Sequence, residues 1–173
     1  MPEDSLIERD RHDGDAVACL IAPQVLAAGA TNTPTIFMGG RGAPNADRGG
    51  GYDRALFCIL GGAANDATAT LTMTVQQCNT AGGGGPKALA GLYGTKSIGP
   101  VTSGDGFATL NQKWLIEVAA EEMDVDNGFS WLRLVVTVSA GDTWLVAVEA
   151  QRSGAAYEPV LHTNITGLIG TTA

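Results

Sequence analysis

Charge is scarce in this 173-residue chain: only 16% of residues are Asp, Glu, Lys or Arg, and ten basic residues stand against eighteen acidic ones for a net charge of −8. Wrapping nucleic acid or docking on anionic lipid needs clustered Lys and Arg to displace counterions. The basic residues here are scattered, so neither nucleic acid nor a membrane is an expected partner. Histidine is scarcer still, with His12 in a charged N-terminal stretch and His162 near the C-terminus. No nucleophile-elbow motif accompanies either, so no catalytic triad is legible. The three cysteines, Cys19, Cys58 and Cys78, are odd in number and widely spaced, and with two histidines they form no zinc-binding pattern. They read as buried free thiols. No run approaches the roughly 18 apolar residues of a membrane helix. The opening MPEDSLIERDRHDGD lacks the basic start and apolar centre of a signal peptide, so the expectation is synthesis in the cytoplasm. No catalytic, cofactor-binding or metal-ligating residue and no cofactor is expected.

What the chain does have is apolar residues, 45% of the total, concentrated in strand-like runs. Lys113–Arg152 reads as three consecutive antiparallel strands, with turn residues confined to Met123–Gly128 and Gly141–Asp142. Gly-Asp between apolar runs signals a two-residue hairpin, because Gly at its first position supplies the positive φ of a type II′ turn. That register sets Ala140 opposite Thr143, Val138 opposite Leu145 and Val136 opposite Ala147 on one face, with Val135 opposite Val148 and Thr137 opposite Val146 on the other. Both faces are then apolar, which predicts a sheet covered on both sides. A second hairpin is expected between Arg54–Leu60 and Ala67–Cys78, whose Leu71, Met73 and Val75 alternate with threonines in the period-two pattern of a half-buried strand. Ala16–Ala30, interrupted by Pro23, which suits an edge strand or a bend, reads as a bent β element, with a short helix as the rival.

The remainder is less regular. Residues 1–15, with eight charged side chains and little to bury, are expected to form a flexible N-terminal arm. Thr31–Gly51 is loop apart from Thr35–Met38, Ala88–Ile98 is irregular, and Tyr157–Ala173 is either a last strand around Val160–Ile165 or a second arm. The expected architecture is all-β: an antiparallel β-sandwich or jelly-roll-like single domain over residues 16–173, preceded by the arm.

Two apparent ligand sites fail on spacing. A phosphate cradle needs Gly immediately before Lys and Ser or Thr immediately after it, whereas Lys87 lies between Pro86 and Ala88, and Lys96 follows Thr95. The acidic cluster Glu121, Glu122, Asp124 and Asp126 ahead of Gly128 would need Met123 and Val125 as the first and third ligands of an EF-hand. It reads as a solvated loop. Trp114, Trp131 and Trp144 lie in register with aliphatic neighbours and read as core packing, with exposed sugar-stacking aromatics of a carbohydrate-binding module as the rival.

The run Leu115–Val125, then Gly128-Phe129 and Leu132–Val138, preceded by Leu71–Gln77, a glycine-rich stretch and Lys87, resembles small virion proteins of tailed bacteriophages and prophages. The resemblance spans about residues 54 to 160 and rests on a strand pattern. It implies a capsid decoration or cement protein, non-enzymatic, located in the virion, whose partners are the major capsid protein and copies of itself as a homo-oligomer. A tail or head-tail connector component is the alternative within the virion. The expected binding elements are the arm Pro2–Asp15, the loop Gly39–Gly51 and the outward face of the three-strand unit.

Overall fold

The computed structural model describes residues 16–27, 31–39, 51–89, 96–104 and 112–154. Ten strands lie in them: β1 (Ala16–Leu26), β2 (Thr31–Asn32), β3 (Thr35–Phe37), β4 (Arg54–Ala64), β5 (Thr70–Cys78), β6 (Lys87–Ala88), β7 (Ser97–Thr102), β8 (Gln112–Ala119), β9 (Trp131–Val138) and β10 (Trp144–Ser153). Two single 3-10 turns, Ala120–Glu122 and Val125–Asn127, connect β8 to β9.

The strands make two antiparallel sheets. The first has the order β1-β10-β4-β8. In the second, β9 and β5 are paired at the centre. Short β2 and β3 lie end to end along the far side of β9, and β6 and β7 lie end to end along the far side of β5. Counting each interrupted pair as one strand gives two four-stranded sheets wound as a jelly roll, the eight-position all-β architecture built from two Greek keys.

Among the described strands, β5 and β6 are the only consecutive pair that hydrogen-bond to each other as a hairpin. This overturns both hairpins expected from the sequence. β4 belongs to the first sheet and β5 to the second, and β8, β9 and β10 alternate between sheets. Gly141 does have the expected positive φ of 92°, but the turn carries the chain across the sandwich. Its backbone is tied to the neighbouring crossover between β4 and β5. Ser139 N–H donates to the Thr70 carbonyl at 3.0 Å, Asn65 N–H donates to the Thr143 carbonyl at 3.1 Å, and Thr143 N–H donates to the Asn65 side-chain oxygen at 2.6 Å. The two crossovers therefore brace one another, supplying partners for backbone groups that a hairpin ladder would otherwise satisfy.

Crossing also resets the parity of the side chains. In β9, Leu132, Leu134, Val136 and Val138 are buried, and in β10 the buried set is Trp144, Val146, Val148 and Ala150. All eight point between the sheets. The hairpin register mixes these sets, which is why it makes both faces look equally apolar. In the observed fold β9 and β10 each have one buried face and one facing outward, the alternation expected of a two-layer sandwich. From the first sheet Ile21, Phe57, Ile59, Ile116 and Val118 join this core, and from the second Leu71, Met73 and Val75.

Pro23 sits in β1, an edge strand whose register slips between Cys19 and Ile21 and again between Ile21 and Gln24, as a residue without an N–H demands. β7 occupies part of a stretch expected to be irregular, because Gly99 and Pro100 hide its pattern while Ser97 bonds Met73 and Thr74 on the adjacent strand. Of the cysteines, only Cys78 is fully buried, and burial pushes its thiol up despite nearby Arg133. Cys58 is half-buried and Cys19 exposed, correcting the expectation of three buried thiols. Trp144 lies in the core as expected, while Trp114 and Trp131 are only partly covered.

Trp114 explains one glycine. A Cβ on Gly61 would lie 2.4 Å from the Trp114 ring, with the Trp144 indole nitrogen 3.3 Å away. Gly61→Ala is expected to displace the indole and cost about 1–3 kcal/mol, the usual penalty for overpacking. Denaturant unfolding measures that loss, and a red shift in tryptophan emission reports the displacement.

Candidate docking surface

The outward faces of the two sheets differ in chemistry. On the second sheet, Thr70, Thr72, Thr74 and Gln76 of β5 lie beside Trp131, Arg133, Val135 and Thr137 of β9, all half-buried. Arg133 donates to the Gln76 side-chain oxygen at 2.6 and 2.8 Å and to the Gly83 carbonyl at 3.2 Å, and Thr74 shares a hydroxyl contact with Ser97. This face is polar and internally hydrogen-bonded, as the threonine alternation suggests.

The first sheet's outward face carries large exposed apolar side chains interspersed with charge. Four large hydrophobic side chains are exposed among the described residues, and each comes from a different strand of this one sheet: Val25 (62% exposed) from β1, Leu60 (47%) from β4, Leu115 (52%) from β8 and Leu145 (38%) from β10. Register brings them into one field. Val25 pairs with Leu145, Ala147 with Leu60, and Cys58 with Leu115. The Leu145 side chain lies over Gly62, where a Cβ would meet it at 2.8 Å. Charge on this face falls at Lys113, Glu149, Glu117 and Arg54, the last two joined at 2.9 Å in an exposed ion pair. Four strands about 4.8 Å apart, each running some six residues at about 3.3 Å and so showing about three outward, make a face of roughly 400 Å² that the apolar side chains share with these charges. The largest apolar patch on a typical monomer is about 300–600 Å² and often functional.

The regions singled out from sequence fare differently. Pro2–Asp15, His12, His162 and Tyr157–Ala173 lie outside the described residues, as does the loop 40–50 between Gly39 and Gly51. The outward face of the three-strand unit does not exist as one surface, since its strands are divided between sheets. The two lysines rejected as phosphate ligands do have partners. Lys87 pairs with Asp124, and Lys96 pairs with buried Glu122 at 2.9 Å, whose other oxygen accepts the Ala119 N–H at 3.0 Å. The acidic loop is thus pinned to the body, not merely solvated. Among the described residues no group of three or more His, Cys, Asp or Glu is placed to hold a metal ion. One cavity of about 370 Å³ is lined by Tyr52, Asp53, Arg54, Ala119 and Glu121 among others. Beside it the Arg152 guanidinium stacks over the Tyr52 ring at 4.4 Å and donates to the Phe37 carbonyl at 2.8 Å.

The Lys87 and Asn127 side chains hold the Asp124 carboxyl below the ordinary aspartate range, and the Thr68 hydroxyl and N–H do the same for Asp66. A depressed folded-state pKa contributes stability above the unfolded value that is lost as pH falls through the folded one. Thermal stability is therefore expected to hold from neutral pH to the ordinary aspartate value of 3.8 and to decline below it. Asp124→Asn should shallow that decline in a series of melting curves recorded against pH.

No family model matches the chain, and no curated protein matches it. Solved structures do match. The VP2 subviral particle of infectious bursal disease virus superposes with a TM-score of 0.50 and 11% identity over 82% of this chain and 32% of that one. The fold is viral capsid-like. The structure of the Gx strain of the same virus agrees, with a TM-score of 0.50 and 11% identity over 86% of this chain and 34% of that one. This capsid-like jelly roll thus spans about a third of the length of the chains it matches, at 32% and 34%. At 11% identity the shared property is the architecture.

Proposed function

We propose that this chain is a non-enzymatic structural protein of a virion, a decoration or cement protein that seats on the capsid of a tailed bacteriophage and stabilises the shell. The observation that carries the reading is the joining of a capsid-like jelly roll to an outward face on the first sheet that carries large exposed apolar side chains. Leaving that face in water forfeits about 25 cal/mol for each Å² that could be covered. A field of roughly 400 Å² is about half of what one partner contributes to a standard interface. The arm Pro2–Asp15 and the loop Gly39–Gly51 would supply the rest. In this reading the partners are the major capsid protein and copies of this chain, the place of action is the virion, and synthesis takes place in the host cytoplasm.

The test adds purified protein to capsids lacking it and measures bound copies and the temperature at which the shells release DNA. Saturable binding with a raised release temperature is expected. No affinity together with unchanged heat resistance overturns the reading, and ring-shaped oligomers in electron micrographs would point to a tail or connector component instead.

A further inference from the structure

Sheet edges expose unpaired backbone groups, and proteins usually blunt them. Three of the four edges here are blunted. β1 carries Pro23 and two register slips, β2 and β3 are separated at Thr33-Pro34, and β6 and β7 are separated between Ala88 and Ser97. The fourth edge, β8, is eight residues long without a register slip, and among the described strands it pairs only with β4.

The sequence of β8 is also complementary to itself. Its outward residues are Lys113, Leu115 and Glu117, all exposed, and its inward residues include half-buried Trp114 and buried Ile116. An antiparallel copy related by a twofold axis through Leu115 places Lys113 opposite the copy's Glu117, Leu115 opposite Leu115, Trp114 opposite Ile116 and Gln112 opposite Val118. Opposite charges directly across a strand pair stabilise it and like charges oppose it. Glu117 already holds Arg54 through one oxygen, which leaves the other for a lysine. A same-direction copy would set Lys113 beside Lys113 and Glu117 beside Glu117, so the pattern selects the twofold arrangement.

We propose that β8 is a homodimer edge, through which two copies of this chain join their first sheets into one eight-stranded sheet by antiparallel β8–β8 pairing centred on Leu115. A twofold contact of this kind is closed and uses the same surface on both partners. It also makes the two outward faces continuous, doubling the field that a shell would cover. Strand pairing alone buries less than a standard interface of about 1,600 Å², so the dimer is weak in dilute solution and strengthens where copies are held close together.

Register-specific cross-linking tests the proposal, with full-length protein, no capsid present, and Cys19→Ser and Cys58→Ser removing the accessible native thiols. Leu115→Cys places the two introduced thiols opposite one another across the axis, within the 4.4–6.8 Å Cα separation, about one strand spacing, that a disulfide accepts. Under mild oxidation it should form covalent dimer at least about tenfold faster than Val25→Cys, a more exposed control on the far strand, because pairing raises the local thiol concentration. Adding Lys113→Glu should slow this cross-linking, as should Glu117→Lys. Mixing the two charge variants should restore it, since each then meets its complement. Circular dichroism confirms that every variant is folded. Cross-linking of Leu115→Cys no faster than the control, or rates indifferent to the charge changes, overturns the proposal. Neither result bears on capsid binding, which fails or succeeds in its own assay.

Discussion

Val136→Asp is expected to yield no folded protein, while Val135→Asp, one residue earlier, stays folded. Val136 has no exposed surface and lies between the sheets, with Met73 as its register partner on β5. An aspartate there must bury an unpaired carboxylate or protonate it, and either costs several kcal/mol. Net stabilities are only about 5–15 kcal/mol, so one such change consumes much of the total. Val135 is half-buried on the outward face opposite Thr74, where the new carboxylate keeps its water, and a loss within about 1 kcal/mol is expected. Circular dichroism and denaturant unfolding of both variants measure the contrast. Equal losses would mean that the inward and outward sets in β9 have been assigned wrongly.

The second large effect is on binding. Leu145→Asp and Val25→Asp change register partners on the first sheet's outward face, so each should leave folding intact and place a charge within the proposed capsid contact. Truncation of a central apolar anchor commonly costs more than 1 kcal/mol, and a buried charge costs more again. Each variant should therefore bind capsids at least about tenfold more weakly, the equivalent of 1.4 kcal/mol. Because the two side chains are in contact range, the double variant should fall short of the sum. The readout is bound copies per shell as a function of added protein. Thr72→Asp, on the polar face of the second sheet, serves as a charge control and should bind like wild type.

Much of the fold was legible because strand periodicity is local. Leu71, Met73 and Val75 against their threonines marked β5 correctly, and Pro23 marked β1 as a bent edge. The two-layer, all-β class followed from the same local signals. Pairing was not legible, because it is set by which distant strand shares a sheet. Gly141-Asp142 carries the turn chemistry of a hairpin, yet the chain crosses between layers there, held by Asn65 and by Thr70 at the start of β5, about 70 residues away in sequence. Turn residues specify backbone angles, and those angles are compatible with either outcome.

The docking face was hidden for a related reason. Val25, Leu60, Leu115 and Leu145 are single outward residues on four separate strands, each ordinary in its own run. Only the order β1-β10-β4-β8 assembles them. The self-complementary Lys113-Trp114-Leu115-Ile116-Glu117 segment, by contrast, was present in plain sequence. What it lacked was the knowledge that β8 lies at an edge, without which the charge symmetry about Leu115 has no meaning.

The placement of β10 also sets when this protein can fold. The last described strand lies at the centre of the first sheet, with β1 on one side, pairing Ala16 with Arg152, and β4 on the other. A ribosome releasing the chain from its N-terminus therefore holds β1 without a sheet neighbour among the described strands until β10, more than 110 residues further along, has been made. Non-local pairing of this kind slows folding, because chain closure must precede the contacts that reward it. β4 and β8 can pair before β10 exists, but β1 cannot join the first sheet until β10 is made. A chain cut short before Trp144 would leave β1 unpaired and one side of β4 open, exposed to the sticking that unsatisfied strands invite.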